Sequence, residues 1–286
     1  MNARYPSRNP HALAKLLAAA LLLAHPAFAQ RPHAPALEEI LQRLEANLND
    51  YDTKVPSFFC DEHVVSNVYP GNRQQNTITD SVFRLKRVPQ PDHTTSLEES
   101  RSVKTVNGKP PTSEDLNGPT VLSGAFEGGL AVVSLSQRSC MNYKLDRIRT
   151  DRPPASYVVR FSTIPNPSNP ADCLLQESTK GQAFIDPNTL QITHLELTTA
   201  HHVIFKGTEP GSGYEPLKGA RIVTVDYAPV QLDNRSFWMP VTITSRVSAG
   251  ANTFHPTTWS FKATYRNYHK LEVTSRILPA GNAPAP

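Results

Sequence analysis

Two late segments of the chain alternate apolar and polar side chains residue by residue, and this alternation limits the possible folds more than any other feature. In residues 235–247 the apolar positions fall on one side of a strand, and hydroxyl or charged groups fall on the other. Residues 257–266 repeat the pattern. Because successive strand side chains point to opposite faces, the alternation is typical of an antiparallel sheet with one buried and one solvated face.

Short polar turns separate further predicted strands. Residues 183–200 are predicted to form a strand, the turn Asp186-Pro187-Asn188-Thr189 and a second strand. Proline presets φ at the second turn position, and Asp and Asn tolerate the neighbouring bends. Asn107-Gly108 is a second strong turn signal. The other predicted strands, rich in β-branched and apolar residues, are 58–68, 77–88, 94–106, 141–148, 157–164, 220–228 and 269–277.

Two segments are predicted to be helical. Residues 36–51 carry leucines and an isoleucine at three- and four-residue spacing, with charged residues between them. Residues 112–136 break the strand pattern and predict one or two short helices, interrupted near Gly128-Gly129 because glycine lowers helix stability by about 1 kcal/mol. An apolar helical stripe needs a surface to cover. We therefore predict an α+β fold, in which a strongly curved antiparallel sheet or open β-barrel has the helices packed on its inner face.

The first 29 residues are predicted to be a signal peptide. Three basic residues precede an apolar run at 16–24, and Ala27-Phe28-Ala29 fits a small-x-small cleavage site. The run is too short to span a bilayer, so no transmembrane anchor is expected. Position 30 is Gln30 and not cysteine, which leaves no site for a lipoprotein's acyl anchor. We expect an exported protein, periplasmic or secreted.

Removal of this segment changes the charge of the chain. The whole sequence has 29 Lys and Arg against 25 Asp and Glu, and three of the basic residues lie in the signal. The remainder is nearly neutral and has no Lys/Arg cluster, which argues against a nucleic-acid partner. We predict one β-rich domain over residues 36–278 and a disordered Ala/Pro tail at 279–286.

Three cysteines in an exported chain allow one disulfide and one free thiol. Cys140 and Cys173 are the predicted pair, because each opens an apolar segment. Their loop of about 30 residues would stabilise the fold by about 3–4 kcal/mol in the chain-entropy model. Cys60 is then free and buried, although it stays the alternative disulfide partner.

Reactive side chains do not form a convincing motif. No G-x-S-x-G elbow is present. Cys60 and His63 offer a thiol and an imidazole, but on a strand they point to opposite faces. His194, His201 and His202 crowd one ribbon, yet adjacent strand residues diverge, and zinc needs several converging ligands. We therefore predict no catalytic residue, no metal site and no cofactor.

The remaining candidate is an aromatic and aliphatic face on the late strands. It could be a groove for an apolar ligand or for the acyl chain of a partner protein. The alternative, which we favour, is an ordinary sheet core covered by the two helical segments. The candidate groove residues are Phe237, Met239, Val241, Trp259, Phe261 and Tyr265.

The order of helix, three strands, helical insertion and longer run of strands resembles the periplasmic lipoprotein-carrier fold. The helix at 36–51 and the segments FIDPNTLQITHLEL, FWMPVTITSR and WSFKATYRNYHKLEVTSRI carry this resemblance. It implies an unclosed antiparallel barrel around a helical plug, with a concave apolar face for acyl chains. The segments VPSFFCDEHV, SGAFEGGLAVVSL and YRNYHKLEVTSRIL also resemble a family of exported acidobacterial proteins without an assigned activity.

Three functional hypotheses follow. The first is an exported, non-enzymatic, carrier-like module that holds a lipid or acylated protein in its concavity. The second is an envelope structural or interaction protein with a filled core. A hydrolase that uses Cys60 or the histidines ranks third. An empty apolar volume of several hundred Å³ favours the first hypothesis, and a packed interior favours the second.

Overall fold

A computed structural model describes residues 35–69, 75–91, 95–112, 125–146, 155–205, 217–249 and 258–272. The chain divides into two units, Met1–Pro35 and Ala36–Pro286, and nearly all described residues belong to the second. The predicted signal peptide and the predicted tail lie outside the described residues. The domain boundaries therefore stay predictions.

The first helix, α1, spans Leu37–Lys54 and confirms the helix predicted at 36–51, with three more residues at its end. Acidic residues occupy its first turn and Lys54 its last, which complements the helix dipole. The helix ends at Val55, whose backbone is extended because the next residue is proline. One stripe of α1 is buried: Ile40, Leu41, Leu44, Leu48 and Tyr51.

Ten strands form one curved antiparallel sheet. Its strand order is β3-β2-β1-β10-β9-β8-β7-β6-β5-β4, so that pairing of β1 with β10 joins the two halves of the chain. Within the described residues, β3 and β4 do not pair with each other, and the sheet is open. The strands are β1 (Phe58–Tyr69), β2 (Gln75–Pro89), β3 (Thr95–Val106), β4 (Met141–Leu145), β5 (Tyr157–Thr163), β6 (Thr179–Ile185), β7 (Ile192–Phe205), β8 (Leu217–Leu232), β9 (Arg235–Ala249) and β10 (Thr258–Lys270).

The sequence predicted that a new strand begins at residue 269. This is wrong, because β10 continues without interruption to Lys270. A bulge lies where β10 pairs with β1, and Asn267 there has φ 55°. The bulge adds a residue without ending the strand, which explains why the alternation in the sequence breaks at this point. Residues 273–277 lie outside the described part of the chain.

The predicted interruption of the second helix is also wrong. Helix α2 spans Ala125–Ala131 and runs through Gly128 and Gly129, and a short 3₁₀ helix follows at Leu135–Gln137. A Cβ atom on Gly129 would overlap the Tyr227 hydroxyl oxygen of β8. Glycine is therefore needed here for close contact between helix and sheet, and this contact outweighs its low helix propensity.

The turn after β6 confirms the predicted hairpin, but it is longer than four residues. Asp186 Oδ1 accepts hydrogen bonds from the backbone N–H groups of Asn188, at 2.9 Å, and Thr189, at 2.8 Å. Leu190 has φ 52°, and β7 begins only at Ile192. The Asp186 side chain thus holds the turn by hydrogen bonds, in addition to tolerating the bend as expected from the sequence.

The disulfide between Cys140 and Cys173 is confirmed, with Cα atoms 5.5 Å apart. It ties the residue before β4 to the segment that follows a 3₁₀ helix at Pro170–Asp172. Cys60 is free and buried, as predicted.

One face of the sheet packs on the two helices, and we call it the core face. Buried side chains of α1 and α2 belong to the same apolar core as strand residues from both halves of the sheet. The opposite face, which we call the outer face, carries mostly exposed or half-buried polar residues. The largest fully buried side chains are Tyr265, Phe58, Phe83, Phe126, Ile40, Leu41, Leu85, Met141, Ile185, Ile192, Leu195 and Met239.

Candidate functional site

The six candidate groove residues lie on or beside the core face. Four are buried, whereas Val241 and Trp259 are half-buried. Trp259 stacks on Phe261 with ring centroids 5.7 Å apart. Val241 lies at a bulge, where Asp226 pairs with Thr242 and the next residue of β8 pairs with Pro240. The buried four are Phe237, Met239, Phe261 and Tyr265.

A small cavity lies at the seam between α1 and the sheet, and Phe237 is the groove candidate that lines it. Its volume is about 40 Å³. That volume is enough for about one water molecule, and it is far below the several hundred Å³ of a lipid or drug-sized site. Its apolar lining consists of Leu44, Leu48, Tyr51, Leu130, Ile192, Phe237 and Trp238, and its polar lining of Asn47, Asp50, Gln191 and Ser236.

Polar contacts hold α1 at this seam. Asn47 Nδ2 donates a hydrogen bond to the Leu190 carbonyl oxygen at 2.9 Å. Arg235 pairs with Asp50 at 3.1 Å, and both side chains are well exposed. Hydrogen bonds from Lys54 and Arg235 lower the pKa of Asp50, against the opposing effect of burial. Exposed ion pairs of this kind contribute about 0.2–1 kcal/mol each.

Helix α2 is anchored by aromatic rings. Phe126 stacks on Phe83 of β2 with ring centroids 4.3 Å apart. It meets Tyr265 of β10 edge-on at 4.8 Å and lies 6.1 Å from Phe58 of β1. Aromatic pairs contribute about 0.5–1.5 kcal/mol beyond the area that they bury. These ring contacts fix the start of α2 on the sheet.

A buried ion pair, which the sequence analysis missed, lies next to these rings. Arg101 Nε donates to both carboxylate oxygens of Glu62, at 2.9 and 3.0 Å. Glu62 is 2% exposed, and the guanidinium lies over the Phe83 ring at 4.9 Å. Burial would lower the pKa of Arg101, but the Glu62 charge holds it above its ordinary value. Burial, and then the Glu62 charge, raise the pKa of the Tyr265 hydroxyl.

The strand period could have revealed this pair. Phe58, Cys60 and Glu62 occupy alternate positions of β1 and point to the core face, whereas Asp61 points outward. Alternation places Arg101 on the core face of β3 in the same way. A charge at an inward position usually needs a partner, but the sequence does not say which one.

The thiol and the histidines do not assemble into a reactive site. Cys60 is buried on the core face, while His63 is exposed on the outer face. Burial, and then the charges of Glu62 and Asp61, raise the pKa of the Cys60 thiol, which therefore stays protonated at neutral pH.

The three histidines of the β7 ribbon make separate contacts. His194 Nδ1 lies 2.6 Å from Asp226, and its Nε2 lies 3.2 Å from Glu196. His202 Nδ1 lies 2.8 Å from Glu177, and His201 is exposed. In the part of the chain that the structure describes, no group of three or more His, Cys, Asp or Glu side chains could hold a metal ion.

No helix among the described residues is both long enough and apolar enough to cross a membrane.

The sequence matches no protein-family model and no curated protein. Three solved structures are similar to the chain. A LolA superfamily protein from Nitrosomonas europaea has a TM-score of 0.35 at 11% identity, over 84% of this chain and 96% of that one. A domain from Vibrio parahaemolyticus, assigned to outer membrane lipoprotein sorting, has a TM-score of 0.35 at 12% identity, over 82% and 92%. A DUF1329 family protein from Desulfovibrio piger has a TM-score of 0.37 at 9% identity, over 81% and 92%. Likenesses at this level carry no argument about what this chain does.

Proposed function

We propose that this protein is a non-enzymatic binding module that holds an apolar group, a lipid or the acyl chain of a protein, between α1 and the core face of the sheet. The supporting observation is the position and apolar lining of the seam cavity, and not its volume, which by itself favours a filled core. The cavity is lined by apolar side chains from α1, α2, β7 and β9, and it reaches the surface at Ser236. In this proposal both helices lie in the concavity of the curved sheet, and the six groove candidates form the wall behind them.

The proposal requires the cavity to enlarge. A volume of about 40 Å³ holds no acyl chain, so α1 must move away from the sheet at Leu44 and Leu48. Each of these leucines contributes about 1.5–3 kcal/mol by its burial. An acyl chain in their place would bury a similar apolar area, so the exchange costs little in hydrophobic free energy. The polar contacts at the seam oppose this movement of α1. One of them, the pair between Arg235 and Asp50, is exposed and weak.

An exported location agrees with the disulfide between Cys140 and Cys173. Disulfides persist in oxidising compartments and are rare in the cytosol. We infer a periplasmic or secreted protein with one domain over residues 36–278.

The small volume of the seam cavity favours a second candidate function. If α1 never leaves the sheet, the core is filled in the way of an ordinary domain, and the protein acts through its surface as an envelope structural or interaction protein.

Binding of a fluorescent fatty acid separates the two candidates. We expect purified protein to bind cis-parinaric acid saturably. Substitution of Arg235→Gln removes the exposed pair at the seam and raises the apparent affinity by up to about fivefold, since an exposed pair contributes about 0.2–1 kcal/mol. The matched control is Arg160→Gln, which removes the pair between the exposed Arg160 of β5 and the half-buried Asp146, at 2.7 Å. It should leave the affinity unchanged.

The same titration can contradict the proposal. Absence of saturable binding in both the natural protein and the Arg235→Gln variant would favour the filled-core candidate. Native mass spectrometry of protein purified from its own host gives a second measurement, because a carrier should retain a co-purifying lipid.

A further inference from the structure

The outer face of the sheet carries an open polar cleft of about 510 Å³. It crosses β10, β1, β2 and β3, on the face opposite the apolar core. Its volume falls within the roughly 300–1,000 Å³ that is usual for small-molecule sites. The side chains that the cleft presents are Asp61, His63, Asp80, Lys104, Arg266 and Asn267.

Two β-bulges bring side chains into this cleft. In the pairing of β2 with β3, Asp80 faces Thr105 and Ser81 faces Val103, so Lys104 is the extra residue. Lys104 Nζ donates to Asp61 Oδ1 at 3.2 Å. The bulge between β1 and β10 contains Asn267, whose Nδ2 donates to Asp61 Oδ2 at 2.9 Å.

The backbone of Asn267 is left-handed, with φ 55°. Bulges next to binding sites often redirect a side chain, and a left-handed non-glycine residue costs about 1–3 kcal/mol.

The cleft offers hydrogen-bond acceptors and donors in similar number. The acceptors are the carboxylates of Asp61 and Asp80, and hydrogen bonds from their neighbours lower the pKa of both. His63 Nδ1 lies 2.7 Å from Asp80 Oδ1, so that His63 Nε2 stays available. Arg266 is exposed, and it has no ion pair or hydrogen bond among the described residues. The positive charges of Arg266 and Lys104 balance the negative charges of the two carboxylates.

We infer that this cleft binds a sugar, with preference for one that carries a carboxylate. A hydroxyl group both donates and accepts hydrogen bonds, so a sugar can use the carboxylates and the cationic donors together. A simple anion only accepts hydrogen bonds, so it cannot use the carboxylates of Asp61 and Asp80. The free guanidinium of Arg266 can hold a sugar carboxylate in a bidentate manner.

Titration by two-dimensional NMR tests the inference. We expect glucuronate and glucose to shift, saturably, the amide signals of Asp61, Asp80 and Arg266, with glucuronate the tighter ligand. Asp61→Asn should weaken both sugars about tenfold or more, which corresponds to about 1.4 kcal/mol. Arg266→Gln should weaken glucuronate alone and remove its advantage over glucose. Because Arg266 has no partner among the described residues of the fold, this second variant keeps the test valid if Asp61→Asn fails to fold.

The control is Asp226→Asn, which removes the carboxylate of a similar pair with His194 on the same face but outside the cleft. It should leave both affinities unchanged. The inference is overturned if neither sugar shifts these signals, or if acetate and phosphate shift them as strongly as glucuronate does. Loss of sugar binding in the control variant would contradict it as well.

Discussion

The two faces of the sheet use opposite charges in different ways. On the core face, the Glu62 side chain is fully buried against Arg101, whose side chain is 21% exposed. On the outer face, His63 and Asp80 pair at 2.7 Å while about half of each side chain is exposed. Both pairs join neighbouring or nearly neighbouring strands at similar distances. Burial, more than distance, therefore decides how much the fold depends on each of them.

The outer pairs belong to a regular pattern. The polar part of one register row crosses seven strands, and it contains two His–Asp pairs separated by two threonines. Residues directly opposite each other on antiparallel strands interact weakly, at about 0.2–1 kcal/mol per pair, so such a row tolerates change. On the core face, the charged and glycine positions are closely surrounded: Arg101 contacts Glu62 and the Phe83 ring, and Gly129 leaves no room for a Cβ atom beside Tyr227. The row runs His194, Asp226, Thr242, Thr264, His63, Asp80 and Thr105.

The largest expected effect is on the core pair. Arg101→Met leaves the Glu62 carboxylate buried without its partner and should lower the free energy of unfolding by about 3–5 kcal/mol, measured by urea denaturation. The double variant Glu62→Leu/Arg101→Met should recover most of this loss, because an apolar pair replaces the charges. Asp80→Asn is the outer-face control and should cost about 1 kcal/mol or less. An equal loss in Arg101→Met and Asp80→Asn would remove the contrast between the two faces.

A smaller effect is expected at the contact between α2 and β8. Gly129→Ala places a Cβ atom against the Tyr227 hydroxyl oxygen and should destabilise the protein by about 1–2 kcal/mol, the cost of overpacking less the gain in helix propensity. Within the described residues, this buried hydroxyl has no hydrogen-bond partner. Tyr227→Phe should therefore be tolerated.

The double-mutant cycle gives a sharper result. In the Tyr227→Phe background the obstructing oxygen is gone, so Gly129→Ala should become neutral or stabilising by up to about 1 kcal/mol. An outer-face control, Ser102→Thr, also adds one methyl group and should change stability by less than about 0.5 kcal/mol. If Gly129→Ala is equally destabilising in the natural protein and in the Tyr227→Phe background, then the hydroxyl contact is not the cause.

The sequence predicted the alternating strands well because alternation is a local property. It also located α1, the hairpin turn and the disulfide, since each depends on residues close in the chain or on a choice among three cysteines. The bulges were missed. The extra residue Asn267 breaks the alternation, but in the sequence such a break looks the same as the end of a strand. The partner of Glu62 lies 39 residues away, at Arg101, and only the strand order brings them together.

The candidate site was less predictable for the same reason. Alternation placed Phe237, Met239, Phe261 and Tyr265 correctly on the buried side. How much space remains in front of them depends on how α1 and α2 pack. The contact of Gly129 with Tyr227 shows that such packing is decided by single atoms far apart in the sequence.

The smallest effect concerns His194, which belongs to the outer row. A hydrogen bond with Asp226 raises the pKa of His194, burial opposes this, and Glu196 adds to the rise. Because the pKa is higher in the folded state, the pair stabilises the protein fully below the unfolded value of about 6.5, and this contribution is lost as pH rises through the folded value. The stability difference between the natural protein and His194→Gln should therefore be largest at about pH 5, at up to about 1 kcal/mol, and smaller at about pH 9. Urea denaturation at both pH values measures it. If the stability difference between the natural protein and His194→Gln grows towards alkaline pH, then His194 contributes as a neutral ring. The outer row would in that case stabilise the sheet by packing, in the same way as the core face.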